Sequence, residues 1–328
     1  MPVLLTEREV RRLLPMPDLI RTMEQGLGAF SGGTVTQPVR QVLEVGPDRA
    51  FFGVMPAAVD APDPIVGTKL VTVFHRNEAR GLPSHLATIV LLDPETGALE
   101  AILDGRYITE ARTAAVSAVS VKLLARPDAS VLAILGSGVQ ARSHLEAIRH
   151  VRPLREVRVW SPRAAQREAF ATEMSAAAGI EVRAVSSAAE AARGAPLVAL
   201  TTAATAPILD TVDVDPGAHI AAVGACRPTH REMTTALVAR AHVYVDSRAG
   251  ALSEAGDLMI PIGEGAILPT HIVGEIGELV LGRIPGRQHD DDVTLFKSLG
   301  MAVEDVLAAR LACTRARDQQ IGQVWSPQ

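Results

Sequence analysis

One junction near the middle of the chain restricts the fold most. The apolar run VLAIL (131–135) leads directly into Gly136-Ser137-Gly138-Val139-Gln140-Ala141. A buried strand that ends in two spaced glycines and then opens a helix, here expected through His150, is the turn of a dinucleotide-binding sheet. The glycines allow a tight turn and let a diphosphate approach the backbone, where its negative charge meets the helix N-terminus. Ala141, in the third small position, lets the helix lie close on the strand. The same glycine pattern is weak by itself and gains force from its place, because VRVW (157–160) begins about one βαβ step later. VRAV (182–185), LVAL (197–200), HIAAV (219–223) and VYVD (243–246) continue the series, mostly at helix-length spacing. Such alternation predicts parallel strands with helices on both faces, a doubly wound α/β sheet.

The preceding part reads differently. Residues 6–31 are predicted helical, opened by a Thr6/Glu9 capping box and broken near Pro15 and Pro17. From about 40 to 103, RQVLEV, AFFGVMP, GTKLVTVF, HLATIVLL and ALEAIL form short strand-like runs, the last two joined by a turn at Pro94, Thr96 and Gly97. An alanine-rich helix is expected over 107–125, ending before Pro127, and an amphipathic helix over 299–312. This first part is mixed α+β, with a boundary expected near 115–130.

Composition narrows the function. The 328 residues are 48% hydrophobic and 21% charged, enough for a full core. A net charge of −5 argues against nucleic acid as a partner, because phosphate neutralisation needs a basic face. No apolar run approaches the roughly 20 residues of a membrane span. Glu7, Arg8 and Glu9 argue against a secretory leader, so the expected location is the cytoplasm. Two cysteines, Cys226 and Cys313, make no disulfide framework, and none of the nine histidines falls at metal-ligand spacing, so no metal is expected.

Among 32 basic residues only Lys69, Lys122 and Lys297 are lysines, so each invites its own explanation. Candidate chemistry ahead of the dinucleotide-binding half is Arg40, Lys69, Ser84-His85 and Arg112-Thr113. After the second strand of the sheet, where a carboxylate would select NAD, the chain has Ser161-Pro162-Arg163, then Gln166 and Arg167. With no acid there and several donors, NADP(H) is favoured over NAD(H).

GTKLVTVF, GLPSHLATIVLLDPETGALEAILDG, ITEARTAAVSAV, LAILGSGVQARSHLEA, GAHIAAVGACRP and FKSLGMAVEDVLAARL together resemble the ornithine cyclodeaminase/mu-crystallin family over nearly the whole chain. The resemblance implies a Rossmann NAD(P)-binding domain (119–297) inserted in a substrate-binding and dimerisation domain (1–118 with 298–328), and a homodimer. It also implies chemistry on C=N or CH–NH bonds, among them ornithine cyclodeamination, ketimine and pyrroline-2-carboxylate reduction, and alanine dehydrogenation. Arg40, Lys69 and Arg112 would hold the substrate carboxylate, in keeping with the bidentate grip of a guanidinium. Their clustering should depress the Lys69 pKa, so that it can hold or donate a proton near neutrality. His85 would lie near the nicotinamide or the imine as a second candidate for the proton, and Ser84 would bond the cofactor or orient a water. Arg112, Thr113, Thr202, Ala203, Val223 and Ala225 complete the expected cofactor contacts.

Cys226 departs from the deaminating members, which carry an aspartate base at that position. A thiol with a pKa of about 8.5 does not replace a carboxylate base. Reduction of a preformed imine needs only an anchored carboxylate, one proton and a placed hydride. The expectation is therefore NADPH-dependent reduction of cyclic α-imino acids or ketimines. The alternatives are an ornithine-type ammonia lyase, an alanine dehydrogenase or reductive aminase, and a protein that binds NADPH and a small acid without turnover. Phe74 is the best candidate for an aromatic specificity wall.

Overall fold

The computed structural model describes residues 1–47, 50–60 and 63–325. They divide into two compact units, Met1–Arg112 with Gly300–Gln328, and Thr113–Leu299, against expected divisions at 118/119 and 297/298. The first division falls inside the helix Arg106–Leu124, and the second follows the strand Thr294–Lys297.

The outer unit is built on a sheet ordered Gln323–Val324, Val3–Leu5, Leu99–Asp104, His85–Leu92, Ile65–Val73, Ala50–Val59, Val35–Thr36, with Gln41–Val45 also paired to Ala50–Val59. Val3–Leu5 runs parallel to Leu99–Asp104; the remaining pairings are antiparallel. In the strand Ile65–Val73, Ile65, Gly67, Lys69 and Val71 alternate onto the buried face, the period-two pattern of a half-covered sheet. The helix Ala302–Asp318 packs on that strand and on its two neighbours. It also packs on the helix Met16–Gly32, where Gly26 permits the approach: a Cβ there would lie 2.4 Å from Leu307 Cδ1. Leu19, Met23 and Leu27 line the buried side of Met16–Gly32, each contributing about 1.5–3 kcal/mol by burial.

Two expectations shift here. The predicted helix 6–31 is two helices, Glu7–Leu13 and Met16–Gly32, because Pro15 cannot supply the N–H that continuity requires. Thr6 and Glu9 do form their capping box at 2.8 Å. The closing helix starts at Ala302 rather than 299, since Gly300 has φ +81° and Met301 is extended.

The inserted unit holds an all-parallel sheet in the order Glu181–Ala184, Glu156–Trp160, Val131–Leu135, Leu197–Leu200, His219–Ala222, Thr294–Lys297, His242–Val245, Ile272–Glu275. This is the doubly wound α/β arrangement, reversing direction at Val131–Leu135 and Leu197–Leu200 as such sheets do at their ligand crevice. Two of its strands, Ile272–Glu275 and Thr294–Lys297, were not among the expected ones. Thr294 and Lys297 are polar yet fully buried, which hides the second as an apolar run.

Two buried histidines tie this unit together. His144 Nδ1 donates to the Gln140 carbonyl (2.7 Å) and its Nε2 meets Ser117 Oγ (2.9 Å). His219 bridges Ser120 Oγ and Thr294 Oγ1, each at 3.0 Å. Burial holds His144 down to about 4 and His219 to about 3, so both are neutral in the folded protein. An unfolded chain protonates them at the ordinary value near 6.5. The unfolded state therefore gains protons first, and stability should fall below about pH 6.5, by about 1.4 kcal/mol per pH unit for each ring. Thermal melts between about pH 7 and 5 check this: the fall in Tm should be shallower in a His144→Gln/His219→Gln variant, and an unchanged slope would remove these rings from the cause.

Candidate active site

In the outer unit, three strands and one helix bring four of the expected residues together. Lys69 sits mid-strand on the buried face, opposite Met55 on one neighbour and Ile89 on the other. His85 pairs with Val73, two pleats along, and so points to the same face. Arg112 is in the helix Arg106–Leu124 and is 3% exposed. Arg40 precedes the strand Gln41–Val45, and its charge reaches Lys69.

The acids that face these cations were not among the expected site residues. Lys69 Nζ lies 2.7 Å from Asp305 Oδ2, Arg112 Nε donates to Asp305 Oδ1 (3.0 Å), and Arg112 NH1 donates to Glu304 Oε2 (2.6 Å). Asp305 and Glu304 occupy the first turn of Ala302–Asp318, where the helix dipole favours negative charge. That turn is further held by Gln37, whose Oε1 accepts from the Val303 N–H at 2.9 Å. Gly300 is required beside it, because a Cβ would lie 2.2 Å from Arg112 NH1. Beside the three expected cations the structure thus places two carboxylates, Asp305 and Glu304. Acids had a signal in the MAVED segment, two charges at the head of an alanine-rich helix that had to be buried.

Electrostatics separates the two proton candidates. Burial lowers Lys69 to about 8, with Arg112 and Arg40 adding to the fall and Asp305 opposing it. The main cause is desolvation, not the clustering anticipated from sequence. Burial and the same cations hold His85 at about 4, so its imidazole is uncharged at neutral pH. Lys69 therefore carries the exchangeable proton in this cluster. Ser84 contributes its carbonyl, accepting from the Phe74 N–H at 2.8 Å. Phe74 lies beyond the end of its strand; the ring on the lysine face is Phe51, which crowds Gly53 at 2.7 Å from a notional Cβ.

In the inserted unit a cavity of about 770 Å³ opens at the C-terminal ends of the central strands. Gly136, Ser137, Gly138, Ser161, Arg163, Gln166, Thr202 and Ala203 line it, together with Trp160 and Arg142. Gly136 has φ +123° and abuts Thr201, where a Cβ would fall 2.4 Å from Oγ1. Beside Gly138 a Cβ would meet nothing within 4 Å, which leaves the backbone open to a ligand. Val139, Gln140 and Ala141 begin the helix Val139–Ile148, with Ala141 fully buried against the sheet. Ser137 Oγ donates to Ser161 Oγ (2.9 Å), joining the two loops across the cavity floor. The donor set, glycine turn and helix N-terminus fit a dinucleotide. Arg167 is turned to the Ser161 carbonyl (2.9 Å) and is not among the lining residues, whereas Arg163 and Gln166 are. Sequence reading missed Arg142, which donates to the Ser137 carbonyl at 2.9 Å and pairs with Glu173 at 2.5 Å.

Cys226, Val223, Ala225 and Thr113 belong to this unit as well. Val223 and Ala225 are buried, and Val223 N donates to the Leu200 carbonyl. Cys226 Sγ donates to the Val223 carbonyl at 3.3 Å and is exposed. Behind it lies a second buried charge cluster: Lys297 Nζ is 3.1 Å from Asp257 Oδ2, both fully buried, with Glu232 close by. Lys297 thus explains one of the three lysines, while Lys69 explains another.

Comparison with known proteins places this geometry. The sequence profile of the ornithine cyclodeaminase/mu-crystallin family matches residues 1–320. Ketimine reductase mu-crystallin of Mus musculus is 45% identical over 314 residues, covering 94% of this chain and 96% of that protein. The structure of Thermococcus litoralis Delta(1)-pyrroline-2-carboxylate reductase in complex with NADH and L-proline superposes with a TM-score of 0.96 at 36% identity, covering 98% of this chain and 100% of that one. An archaeal alanine dehydrogenase dimer with bound NAD superposes with a TM-score of 0.93 at 29% identity, covering 99% of each chain.

Proposed function

The chain belongs to the ornithine cyclodeaminase/mu-crystallin family, and from that membership we propose that it is a nicotinamide-nucleotide oxidoreductase reducing imines of α-imino acids, with NADPH as reductant and cyclic substrates such as piperideine-2-carboxylate or pyrroline-2-carboxylate. The observation that carries this reading is the buried Lys69 ammonium, 2.7 Å from Asp305 and within reach of the charges of Arg112 and Arg40. Arg40 and Arg112 hold the substrate carboxylate, Arg112 fixed in rotation by its two acids. Lys69 completes the anchor and gives the proton that the imine nitrogen needs, since its pKa near 8 matches the task at neutral pH. His85, neutral, forms a polar wall rather than a proton source. When bound, the reduced nucleotide supplies the hydride; Gly136, Ser137, Gly138, Ser161, Arg163, Gln166, Thr202 and Ala203 would hold it. Cys226, in place of a carboxylate base, supports reduction over deamination.

A homodimer in the cytoplasm completes the proposal. The strand Gln41–Val45 is exposed along its length and carries Val42, Leu43 and Val45 outward, a surface suited to a second copy. Among the described residues no helix is long and apolar enough to cross a membrane.

The deciding experiment follows NADPH and NADH oxidation with five- and six-membered cyclic imino acids, ornithine, and pyruvate with ammonia or methylamine. Turnover of a cyclic imino acid, faster with NADPH, is the expected result. Ammonia release from ornithine would move the chain to the lyases, turnover of pyruvate with an amine but of no cyclic imino acid would make it a reductive aminase, and a preference for NADH would remove the phosphate role of Arg163.

A further inference from the structure

The buried acid Glu232 has no part in the chemistry above, yet both of its carboxylate oxygens are hydrogen-bonded at the ends of two central strands. Its Oε1 accepts from both the Thr202 N–H (2.8 Å) and the Thr202 hydroxyl (2.7 Å), and its Oε2 accepts from the Gly224 N–H (2.9 Å). Those two residues lie on the loops that leave the central strands Leu197–Leu200 and His219–Ala222, and Thr202 lines the cavity. Ligands of doubly wound sheets bind at this end of the strands. The contact is tight: at Gly224 a Cβ would fall 2.5 Å from either carboxylate oxygen and 2.2 Å from the Thr202 carbonyl. Its own N–H donates to Asp257 Oδ1 at 2.8 Å, as does that of Met233 at 3.1 Å.

We propose that Glu232 is a positioning residue of the nucleotide site: its carboxylate, braced between the Thr202 and Gly224 loops, makes the site favour the oxidised, positively charged nicotinamide over the reduced, neutral one. The inference rests on the nicotinamide-nucleotide reading above. The charged and titratable groups around Glu232 and Lys297 come from three elements. Lys297 closes the strand Thr294–Lys297, Asp257 opens the helix Gly256–Gly263, and Cys226 lies on the loop after His219–Ala222. Lys297 and Asp257 pair with each other at 3.1 Å and largely cancel, which leaves Glu232 as the uncompensated charge. A fixed negative charge in a water-poor site acts strongly on a nearby cation. In imine reduction the two electrons of the hydride pass to the imine carbon and a proton from Lys69 to its nitrogen, while the nucleotide gains one positive charge. The Glu232 carboxylate stabilises that gain. Burial raises the Glu232 pKa to about 7, with Asp257 adding to the rise and Lys297 opposing it, so the bias should switch with pH.

The test is equilibrium binding of NADP+ and NADPH by calorimetry, between about pH 6 and 8. In the wild-type protein the affinity for NADP+ relative to NADPH should rise with pH through about 7. Glu232→Gln should weaken NADP+ by about ten-fold while leaving NADPH nearly unchanged, and should flatten the pH trend. Glu232→Asp, which keeps the charge, should retain both the preference and the trend; it also decides the matter if the glutamine variant does not fold. Equal weakening of both nucleotides in Glu232→Gln, or loss of the preference in Glu232→Asp, overturns the inference and leaves Glu232 as a loop clamp only. Failure of the wild-type protein to bind either nucleotide overturns the functional reading and this inference with it.

Discussion

Replacing Lys69 with methionine is expected to lower imine reduction by about 10³-fold or more, the range for loss of a general acid that also anchors its substrate. NADPH affinity should be largely unchanged, because Lys69 is not among the residues that line the nucleotide cavity. The wild-type enzyme should show the matching pH behaviour. Lys69 must be protonated both to hold the carboxylate and to give its proton, so kcat/KM should fall as pH rises through about 8. No acid limb is expected from His85, which gains charge only near 4. Steady-state rates across this range in the wild type, with nucleotide titrations of both proteins, check the pair of statements. Methionine matches lysine in length and leaves Asp305 one cation poorer, with Arg112 Nε still 3.0 Å away. Wild-type rates in the methionine variant would remove Lys69 from the mechanism.

The second large effect is on stability. Arg112→Leu should cost about 3–5 kcal/mol, because it strips a charged partner from both Glu304 and Asp305 in a buried site. The loss should be visible as a fall in Tm of several degrees, together with loss of turnover. Adding Glu304→Gln should recover part of the loss at neutral pH. A variant that melts at the wild-type temperature would show that the cluster contributes nothing to the fold.

Much of the fold was legible because it is written in periodicities that local physics enforces. The strands Val131–Leu135 and Leu197–Leu200 are continuous apolar runs, as strands covered on both faces must be, and Ile65–Val73 alternates as a half-covered strand must. Thr294–Lys297 escaped because its two polar ends are buried by partners far away in sequence, Thr294 by His219 and Lys297 by Asp257. The same reason governs the site. Lys69 stood out as one of three lysines and Arg112 through the family resemblance, and the glycine turn carries its own spacing rule. Asp305, Glu304 and Glu232 were missed because an acid's burial and partner are tertiary facts, invisible to any window along the chain. Even the shift of Lys69 was foreseen in direction for a lesser reason, repulsion by neighbours, when the larger one is loss of water.

The distance along the chain between these partners has a consequence during synthesis. Arg112 and Asp305 are 193 positions apart, with the whole inserted unit between them. A ribosome therefore releases both basic side chains, and everything needed to grip the nucleotide, well before it delivers the counter-ions that let those side chains be buried. Translation halted short of residue 300 would yield a polypeptide that has its glycine turn but lacks Glu304 and Asp305, the acids that pair with Lys69 and Arg112. The order of synthesis thus places the closing of this ion-pair cluster after the whole inserted unit has been made.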